Sequence, residues 1–392
     1  MENGFRPGKL SLLTLLLSSM MILMAGAAVA PALPEIGQVF SDYGELFINF
    51  IITMPPLAIV VSGFAMGVLA DRIGKVKVLV LSLAIFGASG LSGFVLEDLM
   101  QILVGRFGVG IGIAGISCCT TALISEYYTG VQRNKVLGYQ AAAMGAGAFI
   151  LELFGGVLAD FGWHYPFLIY GIGLLLVLTA IVSLREPGNV SSIGGEMPVF
   201  EAPYYAKPLR VFCYLAIFLA MLFMYAFPSK LPEYMADNLG STPLVTGLML
   251  GAMGISTAVV SMLHRNISAS VSEMSLVMYG FISIGVSGLF FFLEPSYPSI
   301  LLSAVSMGIG MGLITPALLN TLAGICTPMT SGKIMGGYTT FLNLGQFLSA
   351  FVLAALIGVY GGLSGSVFYT ISFMAFAIAA LTFFAKLKLD KV

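Results

Sequence analysis

Two charged residues, Arg106 and Glu152, lie well inside long apolar stretches of this 392-residue sequence. An ionised side chain at the middle of a bilayer costs about 2.5–3.5 kcal/mol on insertion scales, and such residues usually face protein or water. Each lies about eight residues from an acidic residue, Asp98 or Asp160, at the end of its stretch, which is roughly 12 Å along a helix. Because consecutive helices would run antiparallel, we expect Arg106 and Glu152 to be able to approach each other.

Two roles for this pair stay open. In the first, Glu152 exchanges a proton and Arg106 modulates the exchange, so that the pair breaks and re-forms. In the second, the two side chains form a permanent ion bridge that holds the helices together. A Glu152→Gln substitution separates the two roles, because only the first predicts a loss of proton coupling.

Polar side chains recur at helical spacing on the fourth and eleventh apolar stretches, and surfaces that face lipid are not this polar. Together with polar residues of the fifth and seventh stretches, they are candidates for lining a substrate cavity: Ser117, Thr121, Tyr139, Gln140, Tyr225, Thr339, Asn343 and Gln346. Hydrogen bonding between helices is an equally open role for each of these side chains.

The sequence argues against several other kinds of chemistry. Its four cysteines lie in or beside apolar stretches without C-x-x-C spacing, so neither a disulfide nor a metal site is expected. No G-x-x-x-x-G-K-[ST] sequence is present to cradle the phosphates of ATP. His164 and His264 would lie near opposite membrane faces and cannot build one site. We therefore expect no cofactor, and the net charge of −1 gives no basis for a nucleic-acid partner.

Transmembrane helices are the elements that would position these residues. The chain is 58% apolar and 9% charged, with a mean hydropathy of +1.01. Apolar runs of about 20 residues recur along it, and each can cross a bilayer core of about 30 Å as a helix. The sequence predicts an all-α membrane protein with twelve spans: 10–32, 46–69, 78–96, 99–122, 136–159, 164–184, 211–235, 243–263, 273–293, 299–322, 334–358 and 364–385.

The basic residues predict how these spans are oriented. With the amino terminus in the cytoplasm, 15 of the 17 lysines and arginines fall in cytoplasmic segments. Only Lys230 falls outside, while Arg106 lies within a span. This bias follows the positive-inside rule and predicts a multi-pass protein of the cell inner (plasma) membrane with both termini in the cytoplasm.

Short sequences recur at an almost constant offset between the two parts of the chain. LPE occurs at 33–35 and 231–233, GIG at 110–112 and 308–310, and GY at 138–139 and 337–338. The offsets of 198 or 199 residues predict two pseudo-symmetric six-helix bundles with the same orientation, a parallel repeat found in transporters. We assign residues 1–185 to the N-terminal bundle, 186–210 to a cytoplasmic linker and 211–392 to the C-terminal bundle.

The loop between the second and third spans carries the sequence GVLADRIGKVKVL. It resembles the loop motif G-x-L-A-D-R-x-G-R/K-x-x of the major facilitator superfamily, through Gly67, Leu69, Ala70, Asp71, Arg72, Gly74 and Lys75. GRFGVGIG in the fourth span is similar to the R-x-x-x-G pattern of the same family. The resemblance covers nearly the whole chain and implies two bundles that rock around a central site.

This resemblance implies that Gly67, Asp71, Arg72, Gly74 and Lys75 form a conformational latch, in which the acid points to the start of the eleventh helix and to neighbouring arginines. A simple positive-inside anchor would explain the three basic residues of the loop, but not Asp71 or the glycines. In the second half Arg265 stands where the acid would be, so the second latch is degenerate.

The resemblance implies a secondary active transporter that works by alternating access, most similar to the 12-helix branch that exchanges drugs or metabolites for protons. One departure is GAFILELFGG at 147–156, where Leu151 and Glu152 replace the Gly-Pro typical of antiporters. A proton symporter for uptake of a small organic solute is the alternative, and a polytopic membrane enzyme is a more remote one. The expected partners are a small-molecule substrate, protons and the lipid bilayer, and we expect a monomer.

Overall fold

The computed structural model describes residues 7–187, 206–326 and 330–389 of the chain. Within these ranges the regular structure is helical throughout. Eleven helical segments are long and apolar enough to cross a membrane, and a shorter apolar helix, Lys9–Leu23, precedes them. The protein is therefore a multi-pass membrane protein, as the sequence predicts.

The first predicted span, 10–32, differs from a continuous helix. It consists of α1 (Lys9–Met20), a 3₁₀ turn (Met21–Leu23), α2 (Met24–Ala27) and a second 3₁₀ turn (Ala30–Ala32), and α3 (Leu33–Val39) follows. Pro31 and Pro34 lie at the starts of the second 3₁₀ turn and of α3, positions where a missing N–H costs least. The structure therefore shows eleven long segments and this broken one among the described residues, and it does not confirm the prediction of twelve full-length spans.

Four long helices and a shorter one complete the N-terminal half: α4 (Glu45–Ile73), α5 (Lys75–Val95), α6 (Leu99–Tyr127), α7 (Gly130–Ala159) and, after a 3₁₀ segment (Tyr165–Gly171), α8 (Ile172–Ser183). The C-terminal half contains α9 (Ala206–Met224), α10 (Ala226–Leu239), α11 (Pro243–Ser268), α12 (Glu273–Leu289), α13 (Tyr297–Ile325), α14 (Ser331–Tyr360) and α15 (Gly365–Leu389). Tyr225 separates α9 from α10 within one apolar segment.

The helix ends at the two sides of the molecule differ in charge. One side carries Glu45, Asp98, Asp160 and Asp237, and we call it the acidic end. The opposite side carries most of the lysines and arginines, including Arg72, Lys75, Arg133, Arg265 and Lys333, and we call it the basic end. His164 lies at the acidic end and His264 at the basic end, so they do not share a site.

Several small polar side chains are buried between the helices, while some large apolar side chains face outward. Ser82, Ser303 and Ser372 are fully buried, whereas Phe64 is 86% exposed and Val104 is 73% exposed. This distribution suits helices that are surrounded by lipid, because association between them depends on close packing and hydrogen bonds.

The two halves repeat the same helix contacts at the offset seen in the sequence. A Cβ on Gly110 would collide with Pro55 of α4, and a Cβ on Gly308 would collide with Met253 of α11. Pro55 and Met253 are themselves 198 residues apart. The next glycine of each motif packs in the same way, because Gly112 lies against Ser82 and Phe86 and Gly310 lies against Gly280 and Ile284.

The halves meet most closely toward the acidic end. Phe50 of α4 stacks on Phe347 of α14 with ring centroids 6.0 Å apart, and it also contacts Phe351. Asp160 Oδ1, just after α7, accepts a hydrogen bond from Leu244 N of α11 at 3.4 Å. At the basic end, by contrast, the first turns of α7 and α14 are largely exposed.

An aromatic group lies beside this contact at the acidic end. Trp163 packs edge-on against Phe40, which follows α3, with ring centroids 5.4 Å apart. His164 contacts the same tryptophan at the same separation. These rings hold the turn after α7 against the end of α3.

Candidate functional site

The boundary between α7 and α11 is built on glycines. A Cβ on Gly247 would lie 2.6 Å from the backbone oxygen of Glu152, and a Cβ on Gly156 would lie 2.7 Å from Pro243 O. Gly251 is similarly close to the ring of Phe149. The absence of side chains lets helices from opposite halves approach until their backbones touch.

Glu152 lies at this boundary, with 6% of its surface exposed. Within the described part of the chain, its Oε2 has no hydrogen-bond partner. Cβ atoms added to Gly251 and Gly254 of α11 would lie 3.8 and 3.6 Å from that oxygen, so the carboxyl faces the glycine strip of the other half. A buried carboxylate without a partner is costly, and protonation or a cationic partner removes the cost.

Arg106 is held inside the N-terminal half. Its side chain is 1% exposed, and its Nε donates to Ile51 O of α4 at 2.6 Å. Its Nη1 donates to the hydroxyl of Tyr170 at 2.6 Å, and the guanidinium lies 5.2 Å from the centre of that ring. Tyr170 in turn donates to Met24 O at 3.2 Å, which links α6 to the first segment and to the 3₁₀ segment that precedes α8.

The Ile51 carbonyl of α4 is available to Arg106 because of a proline. Pro55 lies four residues after Ile51 inside α4, and it has no N–H to donate to the Ile51 carbonyl. Nε of Arg106 supplies the donor that the helix lacks at this point. Arg106 therefore stabilises a proline-interrupted helix, a role that sequence reasoning missed although the Pro55-Pro56 pair was its signal.

Among the residues that the structure describes, no ion pair joins Arg106 to Glu152. Tyr225 is 8% exposed at the α9–α10 junction. That Arg106 and Glu152 can approach each other remains a prediction.

Gln140 joins three helices of the N-terminal half. Its Nε2 is 3.0 Å from Ser19 Oγ of α1, 3.4 Å from Thr120 Oγ1 and 3.3 Å from Thr121 Oγ1 of α6. Gln140 is buried, whereas Thr121 is exposed and Ser117 is partly exposed. These contacts give Gln140 and Thr121 a part in helix packing.

Of Tyr139 and the polar residues of α14, some are exposed and others are buried between helices. Tyr139 is 45% exposed, and Lys135 Nζ lies 5.8 Å from the centre of its ring. On α14, Thr339 is exposed, and Asn343 is buried and donates to Thr339 O at 2.8 Å. Gln346 Nε2 lies 3.5 Å from Met221 Sδ of α9. Whether these residues contact a substrate remains a prediction.

The loop between α4 and α5 turns at Gly74, whose φ of 107° is accessible mainly to glycine. A carboxylate from a distant part of the sequence caps the helix that follows: Glu186 accepts hydrogen bonds from the backbone N–H groups of Lys75, Val76 and Lys77 at 3.0, 2.8 and 3.1 Å. Negative charge is favourable at a helix N-terminus. Sequence reasoning missed Glu186, because no local pattern places it beside α5.

The other latch residues lie around this cap. Lys75 forms an ion pair with Glu126 of α6, while Asp71 and Arg72 are exposed. A Cβ on Gly67 would lie 4.0 Å from Cys118 Sγ of α6, so that glycine faces the neighbouring helix. Contact between Asp71 and the start of α14 stays a prediction.

The equivalent position of the C-terminal half contains a different cluster. His264 is buried, and its Nε2 lies 3.1 Å from Glu273 Oε2 of α12. Asn320 Nδ2 of α13 lies 3.1 Å from His264 Nε2 and donates to Glu273 Oε1 at 3.1 Å. Arg265, which the sequence analysis places at the position of the latch acid, is exposed.

Solved structures of transporters share this helical architecture. A bacterial homologue of the human lysosomal transporter Spinster, in an inward-facing and occupied conformation, has a TM-score of 0.78 at 18% identity, over 95% of both chains. A POT family transporter in complex with a thioalcohol-conjugated peptide has a TM-score of 0.77 at 14% identity, over 98% of both chains. These likenesses concern the fold.

The chain belongs to the Major Facilitator Superfamily, whose model matches residues 15–213 and 213–391. The Quinolone resistance protein NorA of Staphylococcus aureus (strain MSSA476) is 24% identical over 352 residues, covering 87% of this chain and 88% of the relative. Multidrug resistance protein 1 of Bacillus subtilis (strain 168) is 27% identical over 321 residues, covering 80% and 81%. The protein is accordingly a transporter, and the membrane-enzyme alternative is set aside.

Proposed function

We propose that the protein exports small organic molecules, drugs or metabolites, in exchange for protons. Its similarity to proteins named for quinolone and multidrug resistance supports export. Proton coupling is supported by the buried carboxyl of Glu152 between the halves, whose Oε2 has no hydrogen-bond partner among the described residues. The protein would act as a monomer in the plasma membrane, with both termini and the basic end in the cytoplasm. Residues 1–185 and 211–392 would form the two moving bundles, joined by residues 186–210.

The location of Glu152 carries this proposal. Its carboxyl lies where α7 and α11 touch, so separation of these helices at the acidic end would open it to solvent on that side. There it would bind or release a proton, and closure would return it to its buried surroundings. A carboxyl that changes its exposure as the halves rock links proton movement to the transport cycle.

A transport assay with purified protein in vesicles tests both the coupling and the direction. Under an imposed proton gradient, wild-type protein is expected to move drug-like molecules against their own gradient, opposite to proton flow. Glu152→Gln is expected to reduce this concentrative movement at least about a hundredfold, the lower end of the effect of removing a positioned proton-transfer group, while downhill exchange of the molecules continues.

Glu97→Gln is the matched control, because it removes an exposed carboxylate outside the helices. It is expected to transport like the wild type. Gradient-driven transport that survives in Glu152→Gln would contradict the coupling role. Movement of the molecules in the same direction as protons would instead support the uptake symporter.

A further inference from the structure

Lys230 is a buried base at the acidic end of the molecule. It lies on α10, and its side chain is 2% exposed. Its Nζ lies 2.7 Å from Glu233 Oε2 on the same helix and 3.3 Å from Glu45 Oε2 at the start of α4. A buried ammonium requires compensation of its charge, and these two carboxylates supply it.

This cluster connects the halves through charge. Among the ion pairs of the described residues, Lys75–Glu126 lies within the N-terminal half and His264–Glu273 within the C-terminal half. Lys230–Glu45 is the pair that crosses from one half to the other.

The cluster also breaks the internal repeat. Glu233 belongs to the repeated LPE sequence, and its counterpart 198 residues earlier is Glu35. The counterpart of Lys230 is Ala32, so the N-terminal half has the carboxylate without the base. The crossing ion pair is therefore an addition to the shared framework of the two halves.

The two carboxylates differ in what happens when the halves separate. Glu233 is three residues from Lys230 on one helix, so it moves with the ammonium. Glu45 belongs to α4, and it moves away with the other half. Opening of the acidic end therefore breaks one contact of Lys230 and keeps the other.

We propose that Lys230 is a gating residue that holds the acidic end closed through its ion pair with Glu45. When that end opens, Lys230 remains paired with Glu233 alone. The proposal rests on the alternating-access function, and it adds the contact that sets the balance between the two conformations. Glu45 stabilises the closed acidic end only, whereas Glu233 makes the open form tolerable for a buried ammonium. Removing Glu45 and removing Glu233 therefore shift the balance between the closed and open forms in opposite directions.

Hydrogen–deuterium exchange of the full-length protein in lipid nanodiscs tests this prediction. Glu45→Gln is expected to increase exchange in peptides from α3 and α10 by roughly fivefold and to decrease it in the first turns of α7 and α14, as loss of a partly exposed charge pair implies. Glu233→Gln is expected to shift both regions in the opposite direction. The control Glu97→Gln should leave both unchanged.

Glu45 and Glu233 retain 47% and 32% of their side-chain exposure, so replacing either with glutamine preserves the packing around it. An unchanged exchange pattern in Glu45→Gln overturns the proposal, as does a shift in the same direction in both variants. The measurement needs neither substrate nor proton gradient. The gating proposal can therefore be contradicted while gradient-driven transport is still observed, and it can be supported when that transport is absent.

Discussion

Helices α4 and α11 occupy equivalent places in the two halves, yet only α4 has prolines in its interior. In the N-terminal half the glycine motif of α6 packs against α4, which contains Pro55 and Pro56. In the C-terminal half the motif of α13 packs against α11, where Met253 and Gly254 stand at the corresponding positions.

The buried arginine occurs in the same half as the prolines of α4. Arg106 donates to the carbonyl that Pro55 leaves without its helical partner, and Ala304 stands at the equivalent position of α13. Since α11 has no proline in its interior, it needs no donor from α13. The comparison shows that the glycine contacts are common to both halves. The arginine serves only α4, where it replaces the backbone donor that Pro55 lacks.

The largest effect is expected from Arg106→Met. Loss of the donor leaves the Ile51 carbonyl buried without a partner, and the free energy of unfolding should fall by about 2–3 kcal/mol. Adding Pro55→Ala restores an N–H four residues after Ile51, so the double variant should recover about 1 kcal/mol of that loss. Unfolding in detergent, compared through a double-mutant cycle, measures this recovery.

Pro56→Ala is the matched control for this cycle. It supplies a donor to the Ile52 carbonyl, one residue away from the acceptor of Arg106. It should therefore give no comparable recovery when combined with Arg106→Met. Equal recovery by both alanines would show that the loss does not come from the Ile51 carbonyl.

Substitution of the two central glycines tests the shared framework. Gly110→Ala and Gly308→Ala each place a methyl group against a neighbouring backbone, and each should lower the free energy of unfolding by about 2 kcal/mol. Gly138→Ala, on α7, is the control, because a Cβ there meets nothing within 4 Å. Effects that differ strongly between Gly110 and Gly308 would break the equivalence of the halves.

The smallest effect concerns the caps at the basic end. Glu186→Ala removes the acceptor of three N–H groups of α5 and should cost about 1–2 kcal/mol. Ser272 caps α12 through one contact with Ser275 N at 3.4 Å, so Ser272→Ala should cost about 0.5 kcal/mol. Amide exchange in the first turns of α5 and α12 measures the two costs separately. Equal changes in both turns would refute the difference between the caps.

Much of the fold could be predicted from the sequence. Apolar runs near the bilayer thickness located the long helices, and the offset of LPE and GIG indicated the repeat that the glycine contacts display. The first segment was harder to predict. Its hydropathy resembles that of the others, but AGAAVAP and Pro34 interrupt the helical hydrogen bonds.

The candidate site was less predictable. Depth in the membrane placed Arg106 and Glu152 inside their helices, but it did not show that Arg106 points to a proline-freed carbonyl and Glu152 to a glycine strip. The contacts of Glu186 and His264 were missed because their partners are dozens to more than a hundred residues away or depend on packing angles. Spacing along one helix carries no information about those angles.

The position of Trp163 has a practical consequence. It is the chain's one tryptophan, and it packs on Phe40 next to the contact between the halves at the acidic end. Intrinsic fluorescence of the unlabelled protein therefore comes, under selective excitation, from a single place. Its emission wavelength reports the polarity of that place, so an ordinary spectrofluorimeter can follow the wetting of the acidic end in real time.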